Sequence, residues 1–380
     1  MKKIDILIPN FDDFGAQRVA INVANSLCND YEVNFVVFND NGPFKTYLNK
    51  KIKIIKLDYG FFNIPKIRIF PRFFHYLNFI KNNKTDISIA FSPVANLIVL
   101  FTKILKPKLK TIIQEHGYPS LAIKDRQNMG PILEWFFRHI VFKLYNISNI
   151  FLCITEAIKE DFTKNFGIKK EIIRVVRNPV DIEKINKLIN EPIPDFKFNP
   201  QKKYIIGIGR LVDQKNFFKL VSIFQKVKKI ITNTELIILG DGPDKENLAK
   251  NAMKLELGES VHLLGFNKNP YAFLKKSNCY CLTSNWEGLP QVIAEAMICK
   301  TPVIANDCKS GPSEMINNGK TGFLIPMSNE NLFVECIINI LENKDLCKKI
   351  TEEAYLFAQK EYSIEQCVIN YKSILNSLTI

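Results

Sequence analysis

Short β-rich apolar runs alternate with longer stretches of helical periodicity along nearly the whole chain, and no other feature restricts the fold as much. In the first half the expected strands are 4–8, 33–38, 52–56, 87–91, 110–114 and 150–154. In the second half they are 204–208, 235–239, 261–264, 279–282 and 302–304. Expected helices are 17–27, 68–81, 133–146, 156–166, 217–230, 244–254, 291–298 and 329–341, with a terminal helix near 363–378. Alternation of this kind makes the strands parallel, because each crossover uses a helix, and covers both faces of the sheet. The fold class is therefore α/β, with doubly wound, Rossmann-like sheets.

The chain has 380 residues, whereas a domain usually runs to ~100–200, so two domains are expected. A charged, proline-containing segment, DIEKINKLINEPIPDFKFNPQ (181–201), precedes a fresh apolar strand and marks the boundary. The expected division is a first domain 1–182, a linker 183–201, a second domain 202–358 and a C-terminal helix 359–380, with a cleft between the domains. A hydrophobic content of 47% is ordinary for a folded chain and excludes wholesale disorder.

The formal net charge is +14, from 52 Lys+Arg against 38 Asp+Glu. It points to a polyanionic partner (nucleic acid, a phosphorylated ligand or an anionic membrane surface), or else to a lysine-rich solvated surface. The nine cysteines show no C-x-x-C and histidine is scarce, so no zinc site or other metal is expected. An odd cysteine count, with MKKIDILIPN reading as a first strand and not a secretory signal, suggests reduced thiols in a cytoplasm. No run of 18 apolar residues predicts a membrane span. The segment 65–81, PKIRIFPRFFHYLNFIK, mixes basic and aromatic residues as a headgroup-binding stretch does; alternatively Phe73, Phe74 and Leu77 form a core helix face.

Ligands of open parallel sheets bind beyond the carboxyl ends of the strands, so polar residues that follow strands are the candidates. In YIIGIGRLVDQKN (204–216) a strand ends in Gly207 and Gly209, followed by Arg210 and then by Lys215 just before a helix. Two cations beside a helix N-terminus suit a diphosphate, whereas a lysine there otherwise opposes the helix dipole. The alternative is plain surface charge. In SNWEGLPQVIAEA (284–296) Pro290 fits a first helical turn, leaving Glu287 in the loop and Glu295 inside the helix. The free amides of Gln291 and Val292 favour a phosphate or sugar oxygen. A loop carboxylate can accept hydrogen bonds from sugar hydroxyls, and one within the helix can grip the two hydroxyls of a ribose; otherwise both are ordinary polar residues. The apolar setting of Glu295 buries it, and a buried carboxylate needs partners.

Other segments carry less. ILGDGP (238–243) is a strand with a Gly-rich turn, and LGF ends in Phe266, where backbone can pair with a base edge. GAQRV (15–19) follows the first strand, where Gly15 lets a ligand approach the backbone. No G-x-G-x-x-G accompanies it, which disfavours a nicotinamide enzyme. His116, in EHG (115–117), either acts on the reacting centre or is a structural loop histidine.

Together these residues resemble glycosyltransferase family 4, the retaining group 1 enzymes of the GT-B fold. The matching pieces are GAQRV, EHG, NPVD (178–181), GRLVDQKN, LGDGP, LLGF, EGLPQVIAEA and TPVIANDCKSGPSEMINNGKTGFLIP (301–326). They occur in the family's order along nearly the whole chain. The resemblance implies that Arg210 and Lys215 hold the donor diphosphate, Glu295 the donor ribose and Glu287 the transferred sugar. It implies Gly15 near the phosphates and His116 near the reacting sugar. The stretch 307–316, DCKSGPSEMI, is similar to a subset handling UDP-linked hexoses and N-acetylhexosamines in bacterial surface glycans. Phe14 and Gln17 stand where the family often has a second glycine and a glutamate.

The expectation is a retaining, metal-independent transferase without a cofactor, acting on a UDP-sugar donor and a glycan or polyprenyl-linked acceptor. It is expected in the cytoplasm, with peripheral contact to an anionic inner-membrane face and no nucleic-acid partner. Two rivals remain. A sugar-nucleotide epimerase of similar shape would work on the donor alone. A nucleic-acid-binding module would account for the charge, although no RRM, KH, zinc-finger or basic-arm pattern is present.

Overall fold

A computed structural model describes residues 1–12, 15–57, 69–121, 140–194 and 196–378. The chain forms two compact units, Met1–Asn178 with Ile364–Ile380, and Pro179–Ser363.

The first unit holds β1 (Lys3–Ile8), β2 (Glu32–Val37), β3 (Lys53–Lys56), β4 (Ile87–Ala90), β5 (Lys110–Glu115), β6 (Ile150–Cys153) and β7 (Ile173–Val175). Their order is β3-β2-β1-β4-β5-β6-β7, and every pairing is parallel. The central strands are buried on both faces, which is why they read as near-continuous apolar runs. Asp5 interrupts β1 and is fully buried; it accepts hydrogen bonds from Asn34 (2.9 Å) and Thr85 (2.7 Å), while burial pushes its carboxyl up to about 6.

The second unit holds β8 (Lys203–Ile208), β9 (Thr234–Leu239), β10 (Val261–Gly265), β11 (Cys279–Leu282), β12 (Val303–Asn306) and β13 (Phe323–Ile325). They pair in parallel in the order β10-β9-β8-β11-β12-β13. Helices Phe217–Ile230 and Gln291–Ile298 have the expected bounds. Leu220, Phe224, Leu236, Ile304 and Ile337 share this unit's core.

Several elements differ from the sequence expectation. Helix Pro93–Leu105 was not expected; Ser92 caps it by accepting from the Ala95 amide at 3.3 Å. The short strands β7 and β13 and helices Pro270–Lys276 and Lys344–Tyr362 were likewise not expected. The units also divide the chain differently from the sequence pattern. Helix Ile182–Leu188, capped by Asp181, runs from the end of the expected first domain into the expected linker, and it belongs to the second unit. The terminal helix Ile364–Ser377 returns to the first unit, where Cys367, Tyr371 and Leu375 join the core of β1, β2 and β4. Most of the expected helix 133–146 lies outside the described residues, as do residues 65–68 of the basic aromatic segment. Among the described residues no helix is long and apolar enough to cross a membrane.

Candidate functional site

In the second sheet the chain runs outward from β8 to β10, then returns to β11 on the other side of β8. Strand order reverses between β8 and β11, and it is at such a switch point, beyond the carboxyl ends of the strands, that open α/β sheets bind ligands. The loops leaving these two strands carry Arg210, Lys215 and Glu287.

The two loops are laced together. The Asn285 amide donates to the Gln214 carbonyl (2.8 Å), and the Gln214 side chain donates to the Trp286 carbonyl (3.0 Å). Asn216 Nδ2 donates to Asn285 Oδ1 (3.0 Å), and Asn285 Nδ2 to the Asp213 carbonyl (3.0 Å). Thr283 closes the set by donating to the Lys215 and Asn216 carbonyls. Glycine is required behind this arrangement. A Cβ on Gly240, which has φ +145°, would stand 1.8 Å from the Gly209 carbonyl oxygen.

Within this frame the Lys215 ammonium lies 2.5 Å from Glu287 Oε1, and the Ser284 hydroxyl donates to the same oxygen at 2.6 Å. Glu287 is buried, so its charge is met by a cation and a hydroxyl and not by water. Arg210 is exposed and has no acidic partner among the described residues. One cation of the expected diphosphate pair is therefore already engaged and the other is open.

Helix Gln291–Ile298 starts without a side-chain cap. Pro290 sits at its N-cap, with ψ 96°, and not in the first turn as the sequence suggests; its extended backbone turns the chain into the helix. The Ile293 amide bonds to the Pro290 carbonyl, and the Gln291 side chain donates to the Pro179 carbonyl at 2.9 Å. Glu295 is buried as expected, with the Tyr271 hydroxyl 3.5 Å from its Oε1. Phe266 has an exposed ring.

Two residues near this site escape a sequence reading. Ser284 looks like a loop serine until its bond to Glu287 is seen. Tyr280, on β11, reads as core; it is fully buried, yet its hydroxyl has no hydrogen-bond partner among the described residues, and burial together with the charges of Glu287 and Glu295 holds that hydroxyl protonated.

In the first unit His116 follows β5. Its Nδ1 lies 3.3 Å from Asn178 Nδ2, while its Nε2 is shielded from solvent and has no hydrogen-bond partner among the described residues. Burial pulls the imidazole down to about 4, so it is neutral near neutral pH. The adjacent Glu115, to which the sequence assigns no role, accepts from Asn96 (2.9 Å) and Tyr145 (2.5 Å), and burial raises it to about 7. Gly15 opens helix Gly15–Leu27, and Gln17 is buried with its amide donating to Asn10 at 3.2 Å.

A family model for glycosyl transferases group 1 matches residues 189–357, and one for glycosyltransferase family 4 matches residues 15–184. An uncharacterized glycosyltransferase of Methanocaldococcus jannaschii is 30% identical over 346 residues, covering 81% of this chain and 83% of its own. The chain is a family 4, group 1 glycosyltransferase. This glycosyltransferase is also 26% identical to a Campylobacter jejuni enzyme, N-acetylgalactosamine-N,N'-diacetylbacillosaminyl-diphospho-undecaprenol 4-alpha-N-acetylgalactosaminyltransferase, over 93% of this chain and 94% of that one. Its fold matches that of Anabaena HepE in complex with UDP-glucose, with a TM-score of 0.77, 19% identity and coverage of 99% and 100% of the two chains. The glycosyltransferase thus has the GT-B fold. Membership in this family decides for the transferase over the epimerase and the nucleic-acid module.

Proposed function

We propose that the enzyme transfers a hexose or N-acetylhexosamine from a UDP-linked donor to a glycan on a polyprenyl carrier, in surface-glycan synthesis. The second unit holds the donor and the first handles the acceptor. The main support is the Lys215–Glu287 pair at the sheet's switch point, with open Arg210 on the same loop and an uncapped helix start nearby. The UDP-glucose bound to HepE and the diphospho-undecaprenol substrate in the Campylobacter enzyme's name favour this donor and acceptor class.

In this reading Arg210, Lys215 and the amides of Gln291 and Val292 neutralise the diphosphate as preorganised electrostatics, without a metal. Lys215 then shares its charge between phosphate and Glu287, whose free oxygen accepts from the sugar hydroxyls. Glu295 takes the ribose hydroxyls, the backbone before Phe266 faces the base, and Gly15 lets backbone approach the phosphates. His116, neutral, hydrogen-bonds the reacting sugar. The leaving diphosphate guides the acceptor's proton on the face it departs from, so configuration is retained. The enzyme works at the cytoplasmic face of a membrane, in peripheral contact with anionic lipid.

Thermal unfolding with a panel of UDP-, GDP- and ADP-sugars tests the donor, because a ligand of the native state raises apparent stability. A shift by UDP-sugars is expected, and a shift confined to another nucleotide overturns the assignment. Transfer to an undecaprenyl-linked glycan should proceed in EDTA with the donor's anomeric configuration kept in the NMR spectrum. Activity recovered only with manganese, or an inverted product, counts against the mechanism.

A further inference from the structure

Two features of the first unit meet at Leu105. One is an apolar groove between helices Ile69–Asn83 and Pro93–Leu105, floored by Phe73 and Phe101 with ring centroids 6.0 Å apart. Phe70 and Phe74 on its rim are 60% and 62% exposed, and the first of these helices fully buries only Tyr76 and Ile80. The other is a hollow of about 650 Å³ at the amino-terminal edge of the sheet, lined by Lys2, Lys81, Lys106, Lys108 and Lys110.

The fold does not account for these lysines. Lys103 shows what a structural lysine does here: its ammonium caps the chain, donating to the Pro107 carbonyl (2.9 Å) and to Asn149 Oδ1 (3.0 Å). The five lining lysines have no acidic partner among the described residues. Asp86, the acid in the lining, is engaged by the Lys3 amide at 2.9 Å. Helix C-termini attract a cation or two, but not five cations facing one hollow.

A soluble anion would satisfy the lysines and leave the phenylalanines in water. A bilayer with anionic headgroups satisfies both, because apolar burial at the headgroup boundary and attraction to lipid phosphate add together. We propose that this face docks on an anionic lipid bilayer, with Phe70 and Phe74 entering the headgroup boundary and the lysines of the adjoining hollow gathering lipid phosphates. The inference rests on the membrane contact proposed above and names its surface.

Flotation with vesicles of phosphatidylcholine, alone or mixed with phosphatidylglycerol, tests it. The wild-type chain should float with the mixed vesicles only, and salt should weaken that binding without abolishing it. Lys81→Glu/Lys106→Glu/Lys108→Glu should lower the partition coefficient by about a hundredfold or more. Phe70→Ser/Phe74→Ser should lose the salt-resistant part of the binding. UDP binding, measured on the same samples, should be unchanged in both variants; its absence in wild type would count against the donor site and leave the lipid result standing. The proposal is overturned if wild type fails to float, or if both variants float as it does. It is also overturned if sedimentation shows a wild-type dimer that Phe70→Ser/Phe74→Ser makes monomeric, since a second copy then covers the face.

Discussion

The Lys215 ammonium and the buried Glu287 carboxylate form a partly buried ion pair, 2.5 Å apart in space and 72 residues apart in sequence. The cation assigned to the phosphates and the carboxylate assigned to the sugar therefore neutralise one another before any donor arrives. Removing one partner strands the other, which is costlier than removing both. Lys215→Met is expected to destabilise the second unit by about 2–4 kcal/mol and to abolish transfer. Lys215→Met/Glu287→Gln should recover much of that stability but none of the activity. Denaturant unfolding in a double-mutant cycle measures the coupling, and additive costs would contradict it.

Arg210 should behave in the opposite way, because it is exposed and holds no acidic partner among the described residues. Arg210→Ala should leave the unfolding midpoint unchanged and weaken UDP binding by about ten- to a hundredfold, the worth of a charge-assisted hydrogen bond. Calorimetric titration with UDP decides it. An unfolding midpoint lowered as far as in Lys215→Met would assign Arg210 a structural role instead.

His116 should be silent in the pH profile between pH 5 and pH 8. Burial lowers it from 6.5 to about 4, and the bond to Asn178 opposes that shift only in part. A base whose folded value is depressed takes its proton later than the unfolded chain does, so stability falls as pH drops from 6.5 toward 4. Asn178→Asp places a carboxylate against Nδ1 and should raise the imidazole toward neutrality. The kcat/KM profile of that variant should gain an acid limb absent from wild type. An acid limb near 6.5 in the wild-type profile that His116→Gln removes would refute the neutral imidazole.

Glu115 has the reverse sign. Burial raises it from 4.5 to about 7, so the folded chain keeps a proton that the unfolded chain has released. Its contribution is complete below pH 4.5 and is lost as pH rises through 7. Glu115→Gln keeps the oxygen that accepts from Asn96 and Tyr145 and should remove this slope, gaining on the order of 3 kcal/mol above pH 7. Urea unfolding from pH 5 to pH 8 compares the two chains; parallel curves would place the titration elsewhere.

Leu375 is fully buried in the core of the first unit, although it lies five residues from the end of the chain. Leu375→Ala should cost about 2–5 kcal/mol, as for other buried leucines. Hydrogen exchange should show the loss in β1 and β2 and leave β8 and β11 protected. Equal loss in both sheets would mean that the terminal helix supports the second unit as well.

What the sequence determined by itself is local. Strand–helix alternation required parallel sheets, and strand ends followed by Gly207, Gly209 and Arg210, or by Ser284–Glu287, marked where a ligand could sit, because period and turn chemistry are written in adjacent residues. Helix Pro93–Leu105 was missed because its first turns, rich in apolar residues, follow directly on the apolar strand β4, and helix Ile182–Leu188 was hidden by charged and proline-containing neighbours. Tertiary structure decided the rest. Strand order set β8 beside β11 and so joined Lys215 to Glu287; the folding of the first unit brought Asn178 to His116 across 62 residues, and its terminal helix returned Tyr371 to Gln114 across 257. Such pairings depend on which buried faces find each other once the sheets have formed, and no window of sequence contains both partners.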